Sequence, residues 1–324
     1  MKILTVNENE AGQRLDKLLA KYLDKAPKSF LYKMLRKKNI TLNQKKAAGS
    51  EKLRVGDEIR LFLSEETMEN FSSPRKEASL SGSIPKPEII YEDSHVLLLN
   101  KPAGLLSQKA RPEDISLVEQ LTSYLLESGQ LRPEDLKSFR PGVCSRLDRN
   151  TSGLVAAGKT LAGLQALNHL IRTRSLGKYY RTVALGTIKE SRRVEGWLRK
   201  NEKTNQVSVY PTEQKDSLYI CTEYIPLQSL VLKGLPCTFL EIRLVTGRSH
   251  QIRAHLASLG HPLLGDPKYG NPKFNQYAAK DLGLHFQLLH AFRLEFPQLS
   301  GTLKELSGRK FTAPLPSVFD KILN

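Results

Sequence analysis

Ser145-Arg146-Leu147-Asp148-Arg149-Asn150-Thr151-Ser152-Gly153-Leu154-Val155-Ala156-Ala157-Gly158-Lys159-Thr160 is the stretch on which the reading of this chain turns. From Gly153 to Thr160 it satisfies G-x-x-x-x-G-K-[ST] letter for letter, the pattern of a phosphate-binding loop. Such a loop needs a buried strand before its first glycine and exposed backbone amides between the two. Here the order is reversed: the residues before Gly153 are polar and charged, and those between the glycines are apolar. The sequence therefore predicts a short strand over Leu154–Ala157, closed by Gly158. Lys159 and Thr160 then lead into a helix on which Leu161, Leu164, Leu167 and Ile171 are spaced. A P-loop nucleotide hydrolase remains the weakest of three functional readings.

The chemistry lies in the polar half. Asp148 stands between Arg146 and Arg149, and nearby cations favour the charged form of a carboxylate. In a loop ahead of a buried strand it serves either as a nucleophile or base or as a structural tie, and the residues alone leave both open. A second polar cluster follows another strand: Thr246-Gly247-Arg248-Ser249-His250-Gln251-Ile252-Arg253-Ala254-His255. It predicts a helix with Ser249 as N-cap, Ile252, Leu256 and Leu259 as its buried stripe, and Gly260 as its end. His250 and Arg253 would share a face that meets an anion or the Asp148 loop. His250 and His255 lack the spacing of a helical zinc pair, and His255 reads as a packed histidine.

Working outward, Glu88–Tyr91 and Val96–Leu99 predict a hairpin, Leu117–Leu126 a helix, and Lys178–Leu185 and Cys237–Val245 further strands. Strands and helices do not alternate strictly, so an α+β fold with a mixed, mainly antiparallel central sheet is expected over 88–324. Residues 64–87, rich in Ser, Pro and Glu, read as a flexible linker. Residues 1–63 read as a small α+β domain. Leu15, Leu18, Leu19, Tyr22 and Leu23 mark its first helix, Pro27 a break, and Phe30, Leu31, Met34 and Leu35 the stripe of its second. Short strands follow near Ile40 and Glu58.

Of the 324 residues, 50 are Lys or Arg and 33 Asp or Glu, a net charge of +17. Residues 1–62 alone hold 11 Lys and 4 Arg against 7 acids. Lys28, Lys33, Arg36, Lys37 and Lys38 cluster around the second helix. A concentrated cationic face attracts phosphate backbones and releases counterions on binding, so a nucleic acid is the expected partner. No apolar run approaches the ~20 residues of a membrane span. Met1–Asn7 turns polar too soon for a signal peptide. Cys144, Cys221 and Cys237, odd in number and far apart, argue against a disulfide scaffold or zinc ribbon and suit a reducing cytoplasm.

Taken together, the motifs resemble those of the RluA family of pseudouridine synthases. Arg146-Leu147-Asp148-Arg149-Asn150-Thr151-Ser152-Gly153 is similar to the R-L-D-x-x-T-S-G signature, Lys178-Tyr179-Tyr180 to K-x-Y, and Thr246–His255 to T-G-R-x-H-Q-I-R-x-H. Asn100-Lys101-Pro102-Ala103-Gly104, Gly260–Asp266 and Leu289-His290-Ala291 also fall in family order. Residues 12–63 resemble the RNA-binding module of ribosomal small-subunit protein four, as in the RluC and RluD branches. One departure is Ser145, where the family usually has His. The resemblance implies isomerisation of uridine to pseudouridine in RNA with no metal or nucleotide cofactor. It implies Asp148 as the catalytic aspartate, by covalent attack or proton abstraction, and Tyr180 packed on the uracil and assisting proton removal. Arg253 would keep Asp148 ionised and aimed. Arg146, Arg149, Lys178, Arg248 and His250 in the catalytic domain, with Arg14, Lys28, Lys33, Arg36, Lys37 and Lys38 in the small one, would hold RNA. Large-subunit ribosomal RNA is the expected substrate, transfer RNA the alternative, and a monomer the expected state. A non-catalytic RNA-binding or assembly factor of the same fold is the second reading.

Overall fold

The computed structural model describes residues 1–72 and 84–324. Its N-terminal unit comprises β1 (Lys2–Thr5), α1 (Leu15–Tyr22), α2 (Lys28–Arg36), β2 (Ile40–Leu42), β3 (Lys45–Lys46) and β4 (Glu58–Leu61). The strands form an antiparallel sheet in the order β1-β4-β2-β3. The helical spacing of Leu15, Leu18, Leu19, Leu31 and Leu35 buries them in one core with Ile40, Ile59 and Leu61. α3 (Glu65–Phe71) follows. The Ser64 hydroxyl caps it by accepting from the Thr67 amide at 3.2 Å, and Phe71 meets Phe30 with ring centroids 4.4 Å apart. The first part of the segment expected to be a flexible linker is thus a helix against this core. Its few apolar contacts, Met68 and Phe71, left little signal among polar neighbours. Residues 73–83 of that segment lie outside the described residues.

The remainder runs β5 (Glu88–Glu92), β6 (Val96–Lys101), α4 (Leu117–Glu127), β7 (Gly142–Val143), β8 (Ser152–Gly158), α5 (Leu161–Arg172) and β9 (Gly177–Leu185). Then come β10 (Arg192–Asn201), β11 (Gln206–Tyr210), β12 (Leu218–Leu232), β13 (Leu235–Leu244), α6 (Gln251–Ser258), α7 (Pro272–Leu282), β14 (Leu289–Glu295), β15 (Lys310–Thr312) and α8 (Asp320–Leu323). One sheet has the order β11-β10-β12-β13-β9-β14-β8-β6-β5, with β7 beside β8 and β15 beside β14. The β14–β8 pairing is parallel. The others described are antiparallel, which makes the fold α+β.

β8 settles the phosphate-loop question. Leu154 and Val155 are 2% and 0% exposed, and the strand's amides belong to ladders with β6 and β14. A Cβ on Gly153, which has a φ of +107°, would lie 2.3 Å from the Ala291 carbonyl oxygen, and one on Gly158 would lie 2.5 Å from the Leu164 Cα. Both positions require glycine because neighbouring backbone passes too close for a side chain. Thr160 caps α5 by accepting from the Gly163 amide at 3.1 Å. This is a strand-to-helix junction without a phosphate cradle, and the nucleotide-hydrolase reading falls.

Candidate active site

Asp148 sits in the loop between β7 and β8, and the loop is tied on both sides of it. The Ser107 hydroxyl donates to the Leu147 carbonyl and accepts from the Leu147 amide, both at 3.0 Å. The Lys101 ammonium, fully buried, donates to the carbonyls of Pro102 (2.9 Å), Leu105 (2.8 Å) and Arg149 (2.9 Å). Burial pushes this ammonium down to about 8, against the attraction of Asp148. Three donors on three carbonyls fix the backbone that carries the aspartate.

The partner of Asp148 comes from 105 residues further along. Arg253 on α6 donates from Nη1 to Asp148 Oδ2 at 3.0 Å and grips Asp266 through Nε and Nη2 at 2.8 and 2.9 Å. Its side chain is 5% exposed, that of Asp266 0% and that of Asp148 27%. Burial alone would raise the Asp266 carboxyl, but the bonds from Arg253 and from the Lys268 and Tyr269 amides hold it below its ordinary value. One guanidinium therefore serves a buried carboxylate that positions it and an accessible one that it positions.

His250 completes this side of the site. Its Nδ1 lies 2.9 Å from the Tyr269 hydroxyl, which already accepts from the Val207 amide at 2.9 Å. The ring is thereby anchored on Tyr269, and its Nε2 lies 4.0 Å from Asp148 Oδ2. Burial keeps the ring below its ordinary pKa despite the pull of Asp148. Tyr180, on β9, forms part of the cleft wall. Burial and the Asp148 charge raise its phenol, so it keeps its proton at neutral pH.

Several expectations change in this geometry. Among the described residues Asp148 is ion-paired with Arg253 and approached by the His250 imidazole, and its neighbours Arg146 and Arg149 form no ion pair with it; Arg149 turns away and donates to the Gly104 carbonyl at 3.0 Å. Ser249 does not cap α6. The residue before the helix is His250, left-handed at φ 53°, and the Gln251 side chain secures the turn by accepting from the Arg248 amide (3.1 Å) and the Thr246 hydroxyl (2.8 Å). Leu259 is 42% exposed rather than in the stripe; instead Gln251–Leu256 are all buried, because α6 is enclosed by polar as well as apolar partners. His255 is packed, its Nδ1 3.0 Å from the Thr222 hydroxyl.

A cleft of about 1050 Å³ opens in front of Asp148. Ten of its lining residues are Lys or Arg and a single one, Asp148, is acidic. Arg146, Arg149, Lys178, Arg248 and His250 all line it. Lys178 has no ion pair among the described residues; burial and Arg174 push its ammonium down, and its Nζ lies against Gly247. Lys28, Lys33, Arg36, Lys37 and Lys38 are exposed on and just after α2. Arg14 differs: both ends of its guanidinium are bound to Asp16 at 3.0 Å.

A model of the RNA pseudouridylate synthase family matches residues 95–258. The chain is 32% identical to "Ribosomal large subunit pseudouridine synthase C" of Vibrio vulnificus (strain CMCP6), over 91% of this chain and 88% of the relative. It is also 32% identical to the protein of that name from Escherichia coli (strain K12), over the same shares. The chain belongs to the RNA pseudouridylate synthase family. Human RNA Pseudouridylate Synthase Domain Containing 4 shares the synthase fold at a TM-score of 0.56, with 21% identity over 72% of this chain and 90% of that one. Human RNA Pseudouridylate Synthase Domain Containing 1 does so at 0.52, with 21% identity over 74% and 94%.

The supporting groups of this synthase are those that residue-by-residue reading passed over. Asp266, Lys101 and Gln251 lie inside the family-like motifs without an expected role, and Ser107 and Tyr269 lie outside them. Asp266 alone left a usable signal, since a buried-looking apolar run (Leu263, Leu264) that ends in an acid needs a cation nearby. Among the described residues no group of His, Cys, Asp and Glu is arranged to hold a metal ion, and no helix is long and apolar enough to cross a membrane.

Proposed function

We propose that this synthase isomerises uridine in large-subunit ribosomal RNA, with Asp148 acting on the ribose of an everted nucleotide. The observation that carries the proposal is the Arg253 bridge, which leaves one oxygen-bearing edge of Asp148 open to a cationic cleft while a buried carboxylate holds the guanidinium still. The N1–C1′ bond breaks, the uracil turns, and C5 bonds to C1′; C5 loses a proton and N1 gains one. Eversion costs a few kcal/mol of unstacking, offset by phosphate contacts along the basic lining. Tyr180 lines the cleft with Asp148, where its part is to pack beneath the uracil. The His250 ring, with Nε2 4.0 Å from Asp148 Oδ2, hinders rotation of the carboxylate away from Arg253. Residues 1–63 form an RNA-binding domain that adds affinity, and the chain works as a monomer in a reducing cytoplasm.

The ribosomal assignment rests on the names of the relatives. Purified protein given a large-subunit ribosomal RNA transcript or a transfer RNA pool, with pseudouridine counted by nucleoside mass spectrometry, tests it. Product is expected in the first alone; product confined to transfer RNA would overturn it.

A further inference from the structure

α5 presents an unusual outer face. Gln165, Asn168, His169 and Arg172 recur at the i, i+3, i+4, i+7 spacing of one helical stripe, and all four are exposed. The opposite face supplies Leu161, Leu167 and Leu170 to the core. A merely solvated helix face mixes acids with bases, yet α5 contains no Asp or Glu. The stripe offers two amides, an imidazole and a guanidinium, a donor-rich set suited to phosphate, ribose and base edges.

This stripe is continuous with the catalytic cleft. A shallow groove of about 540 Å³ is lined by the four stripe residues and Ile171. Ile171 and Arg172 also line the cleft that holds Asp148. Beyond them Arg174 lines the cleft from a left-handed backbone (φ 60°), a conformation unfavourable for a side chain with a Cβ. At the other end the stripe reaches the N-terminal unit: a Cβ added to Gly12 would come within 3.9 Å of Gln165 Oε1. Two contacts dock that unit nearby, Lys21 Nζ donating to the Ser138 carbonyl at 3.1 Å and Lys137 Nζ lying 5.6 Å from the Tyr22 ring centre. From Gln165 to Arg172 the stripe spans roughly 10 Å, two helical turns.

We infer that the stripe Gln165–Asn168–His169–Arg172 is a second RNA-binding surface, which carries the strand leaving the catalytic cleft along α5 to the N-terminal unit. The inference deepens the proposal that the chain acts on a large RNA: a short substrate would fill the cleft and stop there, whereas a long one would follow the helix. The four side chains touch neither Asp148 nor Arg253, so their part is affinity for extended RNA.

The quadruple variant Gln165→Ala, Asn168→Ala, His169→Ala, Arg172→Ala tests this in the full chain. Dissociation constants are measured over a range of salt concentrations for two probes: a large-subunit ribosomal RNA transcript, and a uridine-containing oligonucleotide just long enough to fill the cleft. Affinity for the transcript should fall by about tenfold, with a salt slope shallower by about one for the lost Arg172 contact. Affinity for the oligonucleotide, which meets the stripe only at Arg172, should fall by no more than about threefold. Unchanged binding of both probes, or an equal loss on both, would overturn the inference. Because the substitutions are exposed, a thermal melt matching the parent is expected; Arg172→Ala alone should reproduce the change in salt slope should the quadruple variant melt early. Binding is read apart from turnover, so a parent protein that bound RNA but formed no pseudouridine would sink the enzymatic proposal and leave this comparison decisive.

Discussion

Cations do opposite work at the two ends of this molecule. Around α2, Lys28, Lys33, Arg36, Lys37 and Lys38 stand exposed, without an ion pair among the described residues. In the cleft, Arg253 is almost wholly buried and spends its guanidinium on two carboxylates. Free cations supply a diffuse attraction that salt screens and that tolerates substitution. A locked cation supplies geometry, and its removal strands a buried charge.

The widest separation should come from Arg253→Met. It leaves Asp266 buried without its partner and Asp148 unaimed, so turnover should fall at least ~10³-fold and stability by about 3–5 kcal/mol, read from the denaturation midpoint. Retained activity would show that the bridge is scaffolding only. A pH effect follows at Lys101. Its folded value of about 8 lies below the ordinary 10.5, so above pH 8 the folded chain releases a proton that the unfolded chain still binds. Through this group stability rises with pH across that window. The deprotonated amine has only two N–H donors for three carbonyls, so the Asp148 loop loosens. Turnover should therefore decline by a few-fold above pH 8 without any fall in melting temperature traceable to Lys101, and Lys101→Met should remove that step from the pH profile. The gentlest change is expected at the other end. Lys33→Gln, Lys37→Gln and Lys38→Gln together should weaken RNA binding, flatten its salt slope by about two, alter stability by no more than about 0.5 kcal/mol and leave single-turnover rates alone. A large stability loss there would erase the distinction between the two regions.

What the sequence made legible follows the same division between local and distant. α1, α2, α4 and α5 announce themselves through leucine spacing, and the β5–β6 hairpin through its two apolar runs; in the structure Asp93 closes the turn between them, its carboxylate accepting from the His95 and Val96 amides at 2.7 and 2.9 Å. β8 was readable because apolar residues between two glycines contradict a phosphate loop. The parallel β14–β8 pairing was not, since it joins strands far apart in the chain, and neither was the register shift between Pro226 and Gln228 in the β12–β13 hairpin, which no residue pattern announces. In the site, Arg253 was marked by motif and helical phase, whereas Arg146 and Arg149 form no ion pair with Asp148. Sequence neighbours in a tight loop point apart, and the stabilising charge came from α6. The N-cap of α6 was misplaced for a related reason: no side chain caps this helix, Gln251 ties the turn ahead of it instead, and nothing in Ser249-His250 signals a left-handed residue.

Asp148→Asn is the most direct test of all, because it preserves size and polarity and removes only the negative charge that Arg253 meets. Single-turnover pseudouridine formation and the dissociation constant should be measured on the same ribosomal RNA transcript. The expected result is a rate at least ~10³-fold lower with affinity within about threefold of the parent. A variant that still forms pseudouridine at the parental rate would contradict the assignment of Asp148, and would leave the whole Arg253–Asp266 arrangement without a catalytic purpose.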